Sequence, residues 1–281
     1  WTQERGGGED EYVPSKIFTA EEVPIPGFLF EDPEVREELA LYYSSVRRAD
    51  NCLDKVLTAL KDSGEWNNTM IVFLSDHGMP LPFAKTQLYH HSTRTPLMIR
   101  VPGVTKTDTV DKKHMVSVLD LLPTIMDVLG VKKPSRLDGR SFYPVLQGKK
   151  QDDRDFIIKQ YHENSGRSRD PMRAIQTKTH LYIFNPWSNG ERVFATATNG
   201  TVTCKRMIAL AEEDEDMNSR LELYRFRVPQ ELYQVKRNPD CTENLIDYPN
   251  QEKTKIKLQE LLEEWMIQTG DPILECFQKR D

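Results

Sequence analysis

No apolar run in this chain approaches the roughly 20 residues that a membrane-crossing helix needs. No segment repeats, and the acidic run Glu212 to Asp216 reads as a solvated face rather than a low-complexity tail. Cysteine is scarce: four in 281 residues, few enough for either redox setting, so no dense disulfide scaffold carries the fold. Cys204 and Cys241 lie in the C-terminal half and could pair, whereas Cys52 reads as a small core residue on a helix. An excess of positive charge is also missing. With 38 Lys and Arg against 44 Asp and Glu, the net charge is -6, which argues against a broad electrostatic footprint for nucleic acid. What the chain does have is 38% hydrophobic residues, enough to build the core of one large or two small domains.

Residues 1 to 30 carry Gly6-Gly7-Gly8, acidic residues and Pro14, Pro24 and Pro26, a composition that suits a surface loop. Asp32-Pro33 then starts a helix, with the proline in the first turn. Leu39, Tyr42, Val46, Ala49, Leu53, Val56 and Leu60 recur at helical spacing, which predicts a face packed on a sheet, and Gly64 ends the helix. Met70 to Leu74 reads as a buried parallel strand and Leu97 to Val101 as the next strand. Ser117 and Asp120 frame a capping arrangement before a helix from Leu121 to Leu129, closed by Gly130. From about Gln151 the texture changes to short β-like runs, Phe156 to Tyr161, Arg173 to Gln176 and Leu181 to Phe184. A helix over Gln251 to Gln268 follows, its buried face formed by Leu258, Leu261, Leu262, Trp265 and Met266.

The tetrad Ser75-Asp76-His77-Gly78 closes the Met70 strand. Ligands in open α/β sheets bind beyond the carboxyl ends of strands. Asp76 and His77 would reach one ion only where the pleat has ended, and Gly78 permits the turn. They supply one carboxylate and one imidazole, so the remaining ligands of a metal must come from elsewhere. Taken alone, the four residues fit equally well a strand exit in which Asp76 caps a turn and His77 is solvated.

After Gly78 the chain runs Met79-Pro80-Leu81-Pro82-Phe83-Ala84-Lys85-Thr86-Gln87-Leu88-Tyr89, then Thr93-Arg94-Thr95-Pro96 before a strand, then Ser117-Val118-Leu119-Asp120-Leu121-Leu122-Pro123-Thr124 and Leu137-Asp138-Gly139-Arg140-Ser141. Glu231-Leu232-Tyr233 through Asn238-Pro239-Asp240 to Glu243-Asn244-Leu245 completes the order. This series resembles the sulfatase family of the alkaline phosphatase superfamily, from about Tyr42 to the end. The Gly-Met-Pro-Leu-Pro spacing and the closing Trp265 with Thr269-Gly270-Asp271-Pro272 look most like the sulfamidase branch, which removes sulfate from N-sulfoglucosamine. The resemblance implies an α/β fold: the C-terminal part of a sulfatase sheet flanked by helices over 1–150, and over 151–281 a small antiparallel sheet subdomain with a C-terminal helix. The family's nucleophile, a Cys or Ser of a Cys/Ser-x-Pro-x-Arg motif converted to formylglycine, has no counterpart among these residues. Its early pair of metal-binding aspartates and its Lys-x-His element are absent too. The chain is therefore expected to be a C-terminal portion, inactive alone, with formylglycine in the part not represented.

The resemblance also assigns roles. Asp76 becomes a metal-coordinating carboxylate, and His77 takes the adjoining ligand position, where relatives often carry Asn. Calcium is the first expectation, with Mg2+ or another divalent metal open because imidazole suits softer ions. Lys85 falls where sulfatases place a basic residue beside the sulfate, as a catalytic and substrate-binding group; without the resemblance it reads as an exposed loop lysine. His162 and Glu163 are candidate substrate contacts, though such a pair at a strand end is also a common turn. His90 and His91 line the same loop or are solvated, and Arg94 pairs with a carboxylate beneath the site. The implied partner is a sulfated sugar or glycosaminoglycan, with no nucleic acid and no membrane span; a homodimer is left open. The implied location is extracytoplasmic: lysosomal, periplasmic or secreted. Two other readings compete, a zinc-dependent phosphodiesterase or phosphohydrolase of the same superfamily and a noncatalytic carbohydrate-binding domain.

Overall fold

A computed structural model describes residues 13–164 and 166–280; the expected glycine loop at Gly6 to Gly8 lies outside the described residues. The helices and strands are α1 (Pro33–Asp62), β1 (Ile71–Leu74), α2 (His90–Thr93), β2 (Leu97–Arg100), α3 (Leu121–Val128), α4 (Tyr143–Leu146), β3 (Phe156–Glu163), β4 (Arg169–Thr177), β5 (Leu181–Phe184), α5 (Val202–Leu210), α6 (Glu215–Phe226), β6 (Gln230–Tyr233), α7 (Glu252–Thr269) and α8 (Leu274–Gln278). None of these helices is long and apolar enough to cross a membrane. The chain divides into two compact units. One comprises the described residues up to Thr69 with 80–82 and 197–224; the other comprises 70–79, 83–196 and 225 onward.

In the first unit α1 begins where Asp32 caps it. One carboxylate oxygen accepts the Glu34 and Val35 N–H groups at 2.9 and 3.3 Å, and the other accepts Arg206 Nη2 at 2.9 Å. Burial opposes ionisation of Asp32, but Arg206 and the two amides outweigh it and hold the carboxyl below its ordinary range. Glu38 performs the same service for α5, taking the Val202 and Thr203 N–H groups at 2.9 and 2.8 Å, so a carboxylate sits at the positive end of that helix. The expected apolar face of α1 is buried only in its first half, at Val35 and Leu39, while Val46 and Val56 are exposed. The reason is length. Thirty residues extend roughly 45 Å, and the nine-residue α5 covers only about 14 Å of that.

The second unit holds both sheets. β1 and β2 pair antiparallel, Ile71 opposite Arg100 and Leu74 opposite Leu97, which corrects the expected parallel strand. A parallel return needs a crossover long enough for a helix of several turns, and the segment between these strands contains only the four residues of α2. β1 is also half-buried rather than buried, and Leu74 is exposed. The expected capping at Ser117 and Asp120 is present, with Asp120 Oδ2 accepting the Ser117 N–H at 3.0 Å and Arg154 Nη1 at 2.8 Å.

The small antiparallel sheet expected after residue 150 is four-stranded, in the order β3-β4-β5-β6, with every neighbouring pair antiparallel. Alternation along the strands gives it two unlike faces. Ile175, Tyr182, Phe184 and Leu232 meet Leu258, Leu262 and Met266 of α7 and Phe277 of α8 in one apolar core, with Leu261 and Trp265 packed at its margin. At its edge the buried Arg173 forks onto Asp271, at 2.6 and 3.2 Å. The opposite face carries Lys159, Gln176, Glu231 and Tyr233, all buried. Cys204 and Cys241 are both buried and no disulfide joins them, so the pairing that the sequence left open is not formed. Cys52, expected in the core, is exposed on α1.

Candidate functional site

Beyond β1 the chain folds into a loop whose turns are tied to one another. The Gly78 N–H donates to Ser92 O at 3.0 Å, and the Ser92 hydroxyl donates to Phe83 O at 3.2 Å. A Cβ on Gly78 would lie 1.9 Å from His91 O and 2.7 Å from Ala84 O. Glycine is needed here for close backbone approach, not for the turn that the sequence suggested. The side chains of Asp76 and His77 come together at the exit of β1. Asp76 Oδ2 lies 3.5 Å from His77 Nε2, and Asp76 is 84% exposed. Its other oxygen accepts the His77 N–H at 3.0 Å. The His77 ring is oriented by Nδ1, which donates to Gly78 O at 2.7 Å and leaves Nε2 on the side of Asp76. One carboxylate oxygen and one imidazole nitrogen are thus directed outward side by side. They fit part of a cation shell only: among the described residues no group of three or more His, Cys, Asp and Glu side chains gathers to hold a metal.

Lys85 is half-buried between two residues of unusual backbone, Phe83 at φ 63° and Thr86 at φ 58°. A non-glycine residue held in this left-handed region costs on the order of 1–3 kcal/mol and persists only where its surroundings impose it. Those surroundings are the second face of the small sheet. The Lys159 ammonium donates to Leu88 O at 3.1 Å, Tyr89 O at 3.3 Å and Gln176 Oε1 at 2.6 Å, one acceptor for each of its protons. Burial pulls its pKa down to about 7. Gln176 in turn donates to His90 Nδ1 at 2.8 Å, and burial, with Lys159 nearby, draws that imidazole down to about 4. His91 Nε2 stands 3.0 Å from Asp240 Oδ1. The two histidines are therefore half-buried and engaged rather than a solvated pair.

A buried charged cluster completes this face. Glu231 accepts Arg227 Nη2 and Asn185 Nδ2 on one oxygen, each at 2.7 Å, and the Tyr89 and Tyr233 hydroxyls on the other. Burial and the adjacent carboxylate push both tyrosines well above the ordinary phenol range. For Arg227, burial disfavours the cation, yet Glu231 outweighs it and holds the guanidinium more firmly charged than usual. The Arg227 guanidinium also lies 4.4 Å over the Tyr89 ring, and its Nη1 donates to Gln87 Oε1 at 2.7 Å.

The remaining expected groups are His162, Glu163 and Arg94. His162 falls at a register shift between Tyr161 and Glu163 and is exposed; Glu163 is exposed as well and meets Arg169 at 3.1 Å. Arg94, expected to pair beneath the site, is exposed and pairs with no carboxylate among the described residues. The Arg227–Glu231 cluster went unread in the sequence; its one signal is the acidic Glu231 inside the β-like run Glu231-Leu232-Tyr233.

Comparison with known proteins adds the following. The sulfatase family model matches residues 4–131, and the model for the C-terminal region of N-sulphoglucosamine sulphohydrolase matches residues 76–189. Human N-sulphoglucosamine sulphohydrolase is 29% identical over 265 residues, which is 89% of this chain and 52% of that protein. The chain thus spans about half the length of this curated relative. Among solved structures, a putative sulfatase from Bacteroides thetaiotaomicron superposes with TM-score 0.64 at 21% identity, over 87% of this chain and 46% of that one. A structure in complex with its substrate D-glucosamine-2-N,6-O-disulfate superposes with TM-score 0.59 at 24% identity, over 85% of this chain and 42% of that one.

Proposed function

Because the chain belongs to the sulfatase family, we propose that it serves in a sulfuric ester or sulfamate hydrolase acting on a sulfated amino sugar, and that the β1 exit loop is its share of the sulfuryl site. The observation that carries this reading is the outward-facing pair of Asp76 Oδ2 and His77 Nε2, 3.5 Å apart on a loop that also presents Lys85. Sulfated glucosamine is the substrate class named for two of the proteins it resembles.

The chemistry asks for such groups. A sulfuryl group presents oxygens that repel an incoming nucleophile, and fixed cations offset that repulsion in the transition state. Asp76 and His77 would supply two donors to a divalent cation, calcium being the first choice, and a bound cation polarises a sulfuryl oxygen. The Lys85 ammonium would act as a point charge on the same oxygens and as the proton donor to the leaving group. His162 and Glu163 are proposed as sugar contacts. An extracytoplasmic setting follows from the same reading. A zinc phosphohydrolase is the weaker alternative, since both family models that match the chain are models of sulfatases.

The test uses the full-length protein. Sulfate release from N-sulfoglucosamine or glucosamine 6-sulfate is the expected result. Phosphodiester hydrolysis with two zinc ions per chain and no sulfate release would contradict it.

A further inference from the structure

We propose that Gln87 and Arg227 are positioning residues that hold Lys85 in place, an inference that rests on the role proposed above for Lys85. Lys85 lies between the two left-handed residues Phe83 and Thr86, a backbone that does not keep its shape unaided. On one side Phe83 is buried, and its carbonyl accepts the Ser92 hydroxyl. On the other, the Thr86 hydroxyl donates to Lys85 O at 2.7 Å and meets the Thr196 hydroxyl. The next residue, Gln87, is 4% exposed and receives Arg227 Nη1 at 2.7 Å.

Arg227 bridges two elements with one rigid fork. Nη1 holds the loop at Gln87, while Nη2 holds Glu231 in β6 at 2.7 Å. Its planar face lies on the Tyr89 ring, and the Tyr89 hydroxyl returns to Glu231 at 2.9 Å, closing a circuit that locks the loop to the sheet. Arg227 itself sits at φ 58°, so the backbone is bent to deliver this guanidinium. Lysine could not replace it, since a single ammonium cannot span two acceptors in a fixed plane. A buried ion pair is a poor device for stability alone, because apolar residues of similar volume often serve as well. Here it fixes a direction, and the side chain directed is Lys85.

The experiment is a coupling cycle in the full-length protein, reading kcat/KM for the sulfated sugar together with thermal unfolding. Gln87→Met removes the loop's acceptor and leaves the Arg227–Glu231 pair whole. We expect about a tenfold fall in kcat/KM with a melting temperature within a few degrees, and recovery in Gln87→Glu, which restores the acceptor. In a Lys85→Ala background the same Gln87→Met change should have no further effect, because contacting or coupled groups are non-additive. Tyr89→Phe enters the circuit at a second point and should show a smaller fall that also vanishes without Lys85. If Gln87→Met lowers the rate equally with and without Lys85, or not at all while Lys85→Ala is impaired, the positioning role is overturned and the reading of Lys85 stands. If Lys85→Ala keeps full activity, the reading of Lys85 fails and this inference fails with it.

Discussion

One face of the β3–β6 sheet meets α7 and α8 through Ile175, Tyr182, Phe184 and Leu232, with apolar side chains filling the space between layers. The other face meets the 83–92 loop through hydrogen bonds of Lys159, Gln176 and Glu231 and an edge-to-face ring contact of Tyr233 with Tyr89, each with its own direction. Apolar burial is non-directional and scales with area, so the helical face tolerates small changes of shape. The polar face has no such latitude, since a donor or acceptor left alone there bears its full desolvation cost. The comparison teaches that this subdomain uses one face to stay folded and the other to fix a loop.

The sharpest way to break the comparison is to orphan a charge on the polar face. Glu231→Ala leaves Arg227 buried without its carboxylate, and we expect a loss of about 3–5 kcal/mol in urea unfolding; a loss below about 1 kcal/mol would mean that the cluster is not a fixed network. The apolar face should respond much less to the loss of a single carbon. Ile175→Val removes one methylene from the core and should cost about 0.5–1.5 kcal/mol in the same measurement. Equal losses from the two substitutions would erase the distinction between the faces.

A third prediction concerns pH. Burial keeps His90 neutral in the folded protein down to about 4, against an ordinary value of 6.5. Between these values the unfolded chain binds the extra proton, so this contribution to stability is whole above pH 6.5 and is lost as the pH falls toward 4. His90→Gln should flatten that limb of the pH–stability curve; an unchanged slope would remove His90 from the buried face.

The two faces also differ in how far the sequence discloses them. The helical face is written in local period: Leu258, Leu262 and Met266 recur every four residues, and Leu181 to Phe184 is an unbroken β-like run, so both partners are visible. The capped start of α1 at Asp32-Pro33 and the Ser117–Asp120 turn are local signals as well, and both are present. Long-range pairing leaves no such trace. Gln87 and Arg227 are 140 residues apart, and so are Tyr89 and Glu231 to within two, at 142. The antiparallel pairing of β1 with β2 was hidden for the same reason, since an apolar run such as Met70 to Leu74 does not state the direction of its partner. Asp76, His77 and Lys85 are proposed as site residues from their order in the chain, and the hydrogen bonds beneath the loop that carries Lys85 left no signal in the sequence.

The most direct test of the account is elemental analysis of the full-length protein and its Asp76→Ala variant, read beside their rates of sulfate release. The account predicts that metal content and rate fall together. Full metal content at an undiminished rate in Asp76→Ala would contradict it.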